Sequence, residues 1–483
     1  MTTPTAGAAR PVNPGVILLI ASGATFVAFL DTTVVNVGFN QIQRSFPSQS
    51  LATMTWLVTA YGVFFAALLT MAGRLADVIG RRRLFLLSVG LFTVSSALAT
   101  AAPDFGVLIV ARALQGTGAA GMIPAALGLI LFNTPPERRA AAIGTWGAAG
   151  SLAAAVAPSL GAGVIEALGW RAIFGISIPF GLLMLFGALR AVNPDEPSGR
   201  ALPDSAGTAA FTVGIAAAVL GLSEGEAWGW GSGAVLALLI GGGVLTVAAI
   251  LSSARGGENR KRTPALELDL YRNRRYALAG LGSAFLGASL YTWLLSGPIF
   301  LAEFWHYSVY QVGLAVTPGA FTSAFSAILV GRRIKPQAQG LAVFVGALLF
   351  AAVCAVMALT LTGQREFVAI WLWVSIFGGL GIGATLTGLT TLSAGAVPPL
   401  RFSAGMGLTL TARQLGGSIG VAAMAVLLST HSADPLNPML TVFGFCAATA
   451  VVAALCGLVV HFEPKPAAAA AARPSQAAAA AKE

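Results

Sequence analysis

The stretch GRLADVIGRRR, from Gly73 to Arg83, joins two apolar runs of about twenty residues, and each run is long enough to cross a bilayer as a helix. The stretch holds four arginines, one aspartate and two glycines. Gly80 permits a tight turn, and the three arginines that follow it favour the cytoplasmic side of a membrane. Asp77 has no part in such anchoring, so we expect the stretch to do more than fix the topology.

The composition of the whole chain indicates that it is embedded in lipid. Of the 483 residues, 56% are hydrophobic and 10% are charged, whereas soluble domains carry about 25% charged residues. Lipid offers no partners for backbone amides, so segments that cross it form helices. The sequence therefore predicts an all-α polytopic membrane protein whose transmembrane helices lie roughly at 15–38, 52–72, 84–102, 105–131, 140–165, 171–190, 207–223, 233–253, 276–301, 310–330, 339–361, 367–391, 402–429 and 438–460.

The basic residues predict the orientation of these helices. With the N-terminus inside, 23 of the 28 lysine and arginine residues fall in cytoplasmic segments, and the outer loops hold only Arg44, Arg171 and Arg365. Both termini are therefore expected in the cytoplasm. The same bias explains the net charge of +10 without a nucleic-acid partner.

Residue types that bind metals or carry catalysis are sparse and scattered. The extramembrane segments contain no glycine-rich phosphate loop and no Ser/His/Asp set, and they are too short to hold a catalytic domain. The sequence therefore predicts neither an enzyme nor a metal site nor a disulfide framework. The cysteines and histidines are Cys354, Cys446, Cys456, His306, His431 and His461.

The chain is internally repeated. GRLADVIGRRR follows the second apolar segment, and GRRIKPQ, which begins at Gly331, follows the tenth. Without the seventh and eighth segments, two sets of six remain. We therefore divide the chain into a cytoplasmic tail, a first six-helix bundle, an inserted two-helix segment with linkers, a second six-helix bundle and a disordered cytoplasmic tail, at 1–13, 14–190, 191–275, 276–460 and 461–483.

Seven stretches are together typical of one family. They are GRLADVIGRRR, LDTTVVNVGFNQI (Leu30–Ile42), ARALQGTGAA (Ala111–Ala120), GAAGSLAAAVAPSLGAGVIEALGWRAIF (Gly147–Phe174), LSEGEAWGWGS (Leu222–Ser232), LELDLYRNRRYA (Leu266–Ala277) and TARQLGGSIGVA (Thr411–Ala422). In these motifs, and along nearly its whole length, the chain resembles the fourteen-helix drug:H+ antiporters of the major facilitator superfamily. It departs from the family pattern at Asn40, where proline is usual, and at Ala157 and Ala162, where glycine is usual.

The resemblance implies a major facilitator fold, with two six-helix bundles plus two inserted helices. It also implies a monomeric proton-coupled antiporter that exports amphipathic drugs or antibiotics across the bacterial inner membrane, driven by the proton gradient without a cofactor. An exporter of one endogenous metabolite or lipid is the nearest alternative. A membrane receptor or scaffold is a further alternative, against which the intact Asp31, Asp77 and Arg112 argue.

Asp31 and Arg112 are the candidates for proton coupling. Asp31 lies about 24 Å along the first helix from Gly15, and Arg112 lies about 10 Å into the fourth helix from Phe105, so both sit at a similar depth. A carboxylate inside a membrane helix usually marks an ion pathway. Burial favours its neutral form and a nearby guanidinium its charged form, so the site can load and release a proton. A static ion pair is the alternative.

A second group of residues is a candidate for gating. The thirteenth helix begins on the inner side near Pro398–Ser403, and its positive end could receive the Asp77 carboxylate when the inner gate closes. The glycines and proline of the fifth helix form a kinked seam, to which the family assigns a sealing role and for which close packing is the alternative. The gating candidates are Gly73, Arg74, Asp77, Gly80, Arg81, Gly150, Pro158 and Gly161.

Aromatic and polar side chains are candidates for a substrate cavity, although belt positions or core packing would explain the aromatic residues equally well. Arg413 lies about ten residues into the thirteenth helix. In the second half of the chain, no acidic residue lies deep enough in a predicted helix to pair with it. Glu166 and Glu303 lie near outer helix ends. The cavity candidates are Asn36, Trp56, Tyr61, Gln115, Tyr291, Trp293, Phe300, Arg413 and Gln414.

Overall fold

The structure is a computed structural model that describes residues 13–194, 202–256, 264–429 and 436–463. Most of both predicted tails, and part of the linker after the eighth helix, lie outside these residues. The described chain contains 14 helices that are long and apolar enough to cross a membrane, as the sequence predicts. We number the main helix of each span α1 Pro14–Ser45, α2 Trp56–Ile79, α3 Arg81–Thr100, α4 Phe105–Asn133, α5 Arg139–Leu168, α6 Ser177–Ala191, α7 Ser205–Trp228, α8 Gly233–Gly256, α9 Arg274–Glu303, α10 Val309–Arg333, α11 Gln339–Thr360, α12 Leu372–Ala396, α13 Phe402–Leu428 and α14 Leu436–Phe462. The sixth span begins at Ala172, with the short helix Ala172–Gly175 before α6.

Short helical turns connect several of these helices. Four of the turns lie at the same end of the bundle as Gly80, and we call this end the basic end. Three of the four begin with a proline at the first or second position, where the missing N–H removes no helical hydrogen bond. The four turns are Pro136–Arg138, Leu268–Arg272, Pro336–Ala338 and Pro399–Arg401.

The junction between α2 and α3 differs from the loop that the sequence suggests. α2 continues through Gly73 and Asp77 to Ile79, and α3 begins at Arg81, so Gly80 alone reverses the chain. Gly80 has φ 107° and ψ 136°, a conformation that residues with a Cβ rarely adopt. Because the motif is helical, Gly73 and Asp77 lie one turn apart on the same face of α2.

The helices form two six-helix bundles with the inserted pair packed against them. In the first bundle α4 packs against α2 and α3, and α1 packs against α5. In the second bundle α9 packs against α13 and α14, and α11 packs against α12 and α14. Inserted helices α7 and α8 pack on each other, and α7 also contacts both α2 and α13.

Two seams join the bundles, one between α2 and α13 and the other between α5 and α10. In the first seam, a Cβ placed on Gly73 would lie 2.3 Å from the carbonyl oxygen of Ser403. In the second seam, a Cβ placed on Gly144 would lie 2.3 Å from the carbonyl oxygen of Ala327. Backbones therefore touch in both seams near the basic end, and this end of the molecule is closed.

The single-residue junction at Gly80 can be tested by a methyl group. We expect Gly80→Ala to lower the free energy of unfolding by about 1–3 kcal/mol, because alanine would be held in a strained backbone conformation. Thermal unfolding of the detergent-purified protein measures the change. Gly90→Ala on α3 is the matched control, because no atom lies within 4 Å of the added Cβ. Equal unfolding temperatures for the two variants would contradict the account of the junction.

Candidate functional site

Asp31, Arg112 and Gln115 form a closed cluster between α1 and α4. Arg112 is 0% exposed and Asp31 is 1% exposed. The Nη1 of Arg112 lies 2.5 Å from Asp31 Oδ2 and also donates to Gln115 Oε1 at 2.9 Å. The Nε2 of Gln115 donates to Asp31 Oδ1 at 3.0 Å and to the hydroxyl of Ser96 at 2.9 Å. Both carboxylate oxygens of Asp31 are therefore bound, one by a charged donor and one by a neutral donor.

Arg112 has further partners that do not depend on Asp31. Its Nε donates to the carbonyl oxygen of Leu57 at 2.9 Å. Its guanidinium carbon lies 4.6 Å from the centre of the Tyr61 ring and 5.9 Å from that of Phe174, within the range of a cation–π interaction. Among the described residues, Arg112 is thus held, besides Asp31, by a carbonyl, an amide and two rings, whereas Asp31 is held, besides Arg112, by the Gln115 amide.

Close packing of α4 on α2 places these partners. A Cβ placed on Gly116 would lie 2.4 Å from the carbonyl oxygen of Tyr61, so the two helices touch there. Arg112 lies one turn before Gly116 and therefore faces Leu57 and Tyr61. The hydroxyl of Tyr61 in turn donates to the carbonyl oxygen of Ala28 on α1 at 3.4 Å.

The Asp77 carboxylate lies at the first turn of α13, which is the docking contact expected from the sequence. Asp77 Oδ2 accepts a hydrogen bond from the backbone N–H of Ala404 at 2.8 Å, and Oδ1 accepts one from that of Ser403 at 3.4 Å. The first N–H groups of a helix lack intrahelical partners and carry partial positive charge. A carboxylate there is stabilising, so Asp77 ties α2 of the first bundle to α13 of the second.

Arg81 completes this contact and does more than mark the topology. Its Nη2 lies 2.8 Å from Asp77 Oδ1 and also donates to the carbonyl oxygen of Pro399 at 2.8 Å. Its guanidinium carbon lies 4.8 Å from the centre of the Phe132 ring. Arg81 is buried, so it holds Asp77 on one side and the turn before α13 on the other. We call Asp77, Arg81 and the first turn of α13 the latch.

Two acids after the inserted helices form a second connection, which the sequence analysis did not assign. Glu267 Oε1 lies 2.5 Å from Arg74 Nη1 on α2, and Glu267 Oε2 lies 3.0 Å from Arg401 Nη1 before α13. Asp269 also pairs with Arg401, at 2.5 Å. We call these four residues the clasp. In the sequence, the only indication of the clasp was the two acids, at alternate positions in the polar stretch LELDLYRNRR.

The glycines and proline predicted on α5 lie against two different helices. A Cβ on Gly161 would lie 2.6 Å from Val34 of α1, and a Cβ on Gly150 would lie 3.4 Å from the Phe29 ring of α1. Pro158 instead faces α10, where a Cβ on Gly313 would lie 2.7 Å from it. This seam therefore includes contacts within the first bundle as well as a contact across the two bundles.

Four candidate cavity residues lie where the two bundles face each other. Tyr291 on α9 and Gln414 on α13 are joined by a hydrogen bond from the Tyr291 hydroxyl to Gln414 Oε1. Arg413 precedes Gln414 and is partly exposed, as is Tyr291. Tyr61 of the first bundle lies near Tyr291.

The structure corrects the placement of two aromatic candidates. Phe300 is 0% exposed, and its ring lies 6.1 Å from that of Trp371 in the core of the second bundle. Trp293 is also buried and packs edge-on against Phe350. Neither lines a cavity, because the α9 face that carries them packs inside its own bundle.

Other candidates lie at more exposed positions. Trp56 is partly exposed at the start of α2, and Asn36 is exposed. Glu166 and Glu303 are exposed near the ends of α5 and α9. Among the residues that the structure describes, no group of three or more histidine, cysteine, aspartate or glutamate side chains could hold a metal ion.

The fold and this arrangement of charged groups define the class of the protein. Residues 21–421 match the Major Facilitator Superfamily, and the chain belongs to this family. It is therefore a multi-pass membrane protein of a transporter family. The major facilitator fold inferred from the motifs is confirmed.

Relatives in the family carry names that refer to resistance. The chain is 34% identical over 451 residues to the puromycin resistance protein pur8 of Streptomyces alboniger, covering 90% of this chain and 87% of that protein. It is 30% identical over 430 residues to the multidrug resistance protein Stp of Mycobacterium tuberculosis, covering 87% and 77% of the two chains. It is also 30% identical over 434 residues to the methylenomycin A resistance protein of Streptomyces coelicolor, covering 88% of each.

A solved structure has the same fold. The human organic anion transporter MFSD10 (TETRAN) matches with a TM-score of 0.66 at 15% identity, over 92% of this chain and 99% of that one. At this identity the match concerns the fold alone.

We expect Asp77→Asn to shift the protein towards forms that are open at the basic end. A carboxylate at a partly buried helix N-terminus contributes up to about 2 kcal/mol, so its loss can change a two-state ratio by more than about tenfold. Met406→Cys is the reporter, in a background without Cys354, Cys446 and Cys456, because Met406 is 1% exposed near the start of α13. Faster alkylation of this cysteine in purified protein is the expected result.

Asp204→Asn is the matched control for the latch. Asp204 also accepts a hydrogen bond at a helix N-terminus, from the N–H of Gly207 at 2.9 Å, but it caps α7 and joins no two bundles. Glu267→Gln removes a clasp residue and should raise the labelling rate in the same direction as Asp77→Asn. Equal labelling rates in Asp77→Asn, Asp204→Asn and the parent would mean that the latch has no gating role.

Proposed function

We propose that the protein is a proton-coupled antiporter that exports amphipathic drugs or antibiotics across the bacterial inner membrane by alternating access. Its membership of the major facilitator superfamily supports transport. Relatives named for resistance to puromycin, methylenomycin A or several drugs support export of such compounds. The bacterial origin of these relatives supports the inner membrane as its location.

In this proposal the basic end faces the cytoplasm. The lysine and arginine bias of the loops at that end supports this orientation, because basic loops are retained on the cytoplasmic side. Residues 14–190 and 276–460 would then move against each other around a central site. In this scheme a drug leaves and a proton enters on the outer side while the basic end is closed.

The observation that carries the proposal is the unequal bonding of Asp31 and Arg112. When Asp31 is neutral, Arg112 still has its contacts with the Leu57 carbonyl oxygen, the Gln115 amide oxygen and the Tyr61 ring. Protonation of Asp31 therefore does not leave the guanidinium without partners. Removing one partner of a buried ion pair otherwise costs about 3–5 kcal/mol. The additional partners reduce this penalty, and Asp31 becomes the member of the pair that can exchange its charge.

Protonation also changes what Asp31 offers to its neighbours. The carboxylate accepts from Arg112 and Gln115, whereas the neutral acid can donate one hydrogen bond and attracts the guanidinium less strongly. The contact between α1 and α4 is therefore weaker in the protonated form. A proton can bias the alternating equilibrium to the extent that the two states bind it with different affinity.

A susceptibility panel tests the transport activity and its breadth. Cells with and without the protein are compared for growth against antibiotics and dyes of different structure, including puromycin. Raised tolerance to several unrelated amphipathic compounds supports the proposal. Unchanged tolerance to all compounds, together with accumulation of one metabolite or lipid in cells without the protein, would instead identify a dedicated exporter.

We expect Asp31→Asn to abolish transport driven by an imposed pH gradient in proteoliposomes, while the variant still folds. Asparagine has the shape of protonated aspartate but cannot bind or release a proton. The measured quantity is the initial rate of uptake of a compound from the panel with and without the gradient. The expected result is a rate that no longer depends on the gradient.

Asp104→Asn is the control for the loss of a carboxylate. Asp104 caps α4 through a hydrogen bond to the N–H of Val107 at 2.9 Å, at the end of the bundle opposite the basic end. This variant should retain gradient-driven transport. Full gradient dependence in Asp31→Asn would remove Asp31 from the coupling mechanism.

A further inference from the structure

Arg413 is a cation in the middle of the bundle, and no acidic side chain of the described residues pairs with it. It lies about 16 Å along α13 from Phe402. None of the ion pairs found among the described residues includes Arg413. Its Nε is buried and makes no hydrogen bond to the described protein. A buried donor that is left unpaired destabilises the protein unless a partner arrives.

The other buried acids of the spanning helices are committed elsewhere. Asp31 pairs with Arg112, and Asp77 is held in the latch. Glu224 lies one turn from the end of α7, where its carboxyl group interacts with Thr59 on α2. Because Asp31 and Arg112 neutralise each other, the centre of the bundle retains the positive charge of Arg413.

The backbone around Arg413 is fixed by direct contact between α9 and α13. A Cβ placed on Gly287 would lie 2.1 Å from the carbonyl oxygen of Arg413, and one placed on Gly416 would lie 1.8 Å from that of Ala284. The two helices therefore touch on both sides of Arg413. Such contact fixes the backbone from which the Arg413 side chain extends.

Two polar side chains, Tyr291 and Gln414, lie near this guanidinium. Tyr291 interacts with Arg413 and donates its hydroxyl hydrogen to Gln414. Tyr291 also lies near Tyr61, whose ring lies against Arg112. Towards the basic end, a cavity of about 10 Å³ is lined by Arg413 and Met406. This volume holds about one water molecule, so an organic ligand would approach Arg413 from the interface between the bundles.

We infer that Arg413 anchors an anion site, and that the exported compounds include amphipathic molecules with a carboxylate group. A carboxylate matches the planar fork of a guanidinium and can accept two of its hydrogen bonds. It would satisfy the buried Nε and neutralise the remaining charge, while the NH₂ of Gln414 provides a further donor. The apolar part of the molecule would lie between the bundles. This inference rests on the proposed export function, whose substrate class it specifies.

A matched pair of ligands tests the site by binding alone. The probes are dansylaminoundecanoic acid and its methyl ester, which share the apolar body and differ in the charged group. Their dissociation constants are measured by dansyl fluorescence with the purified parent and with Arg413→Gln. We expect the variant to bind the acid at least about tenfold more weakly, as for a lost hydrogen bond to a charged group, and to bind the ester unchanged.

Two further variants separate the role of the fork from that of charge. Arg44→Gln removes the same charge from an exposed position in the last turn of α1 and should leave both dissociation constants unchanged. Arg413→Lys keeps the charge but not the fork, so its affinity for the acid should lie between those of the parent and Arg413→Gln. Unchanged ester binding also serves as evidence that each variant is folded.

The outcomes for this site and for the proposed export function can be distinguished. Equal weakening of acid and ester in Arg413→Gln, or no weakening of either, would overturn the anion site even if gradient-driven transport of other compounds is intact. Selective loss of acid binding supports the site, even if the parent transports nothing on a proton gradient. In that case the protein would bind anions but would not export compounds on a proton gradient.

Discussion

The ion pair between Asp31 and Arg112 is the constraint on which the rest of the molecule depends. Both groups are excluded from solvent, at a depth where an unpaired charge is costly. α1 and α4 must therefore stay in register, and the contact of α4 with α2 supplies Arg112 with partners of its own. Arg112 therefore has more partners in the cluster than Asp31 has.

α13 of the second bundle connects the two bundles. Its first turn receives Asp77 in the latch, and Arg413 lies on the same helix about 15 Å from Ser403. A displacement of α13 that breaks the latch therefore also moves Arg413 relative to the first bundle. The clasp adds a third element, because Glu267 follows the inserted helices and contacts arginines of both bundles. The inserted pair is thus connected to the closed basic end, although α7 and α8 contribute no residue to the central cluster.

The sequence was sufficient for the features that depend on local pattern. Apolar length predicts each membrane helix, and the position of Asp77 after Gly73 predicts docking at a helix end. Features set by packing between distant segments could not be read in this way. Phe300 faces the core of its own bundle, because the rotation of α9 is fixed by contacts with α13 and α14. The role of Glu267 depends on two arginines that are nearly two hundred and over one hundred residues away in the chain.

The central claim is that protonation of Asp31 controls closure of the basic end. It is tested most directly by the distance between spin labels on Glu137→Cys and Lys335→Cys, two exposed positions at the basic end of opposite bundles, in a background without the native cysteines. We expect the distance distribution of the parent to shift between mildly alkaline and acidic pH. We expect Asp31→Asn to keep at both pH values the distribution that the parent reaches at acidic pH. A pH response in Asp31→Asn equal to that of the parent would contradict the claim.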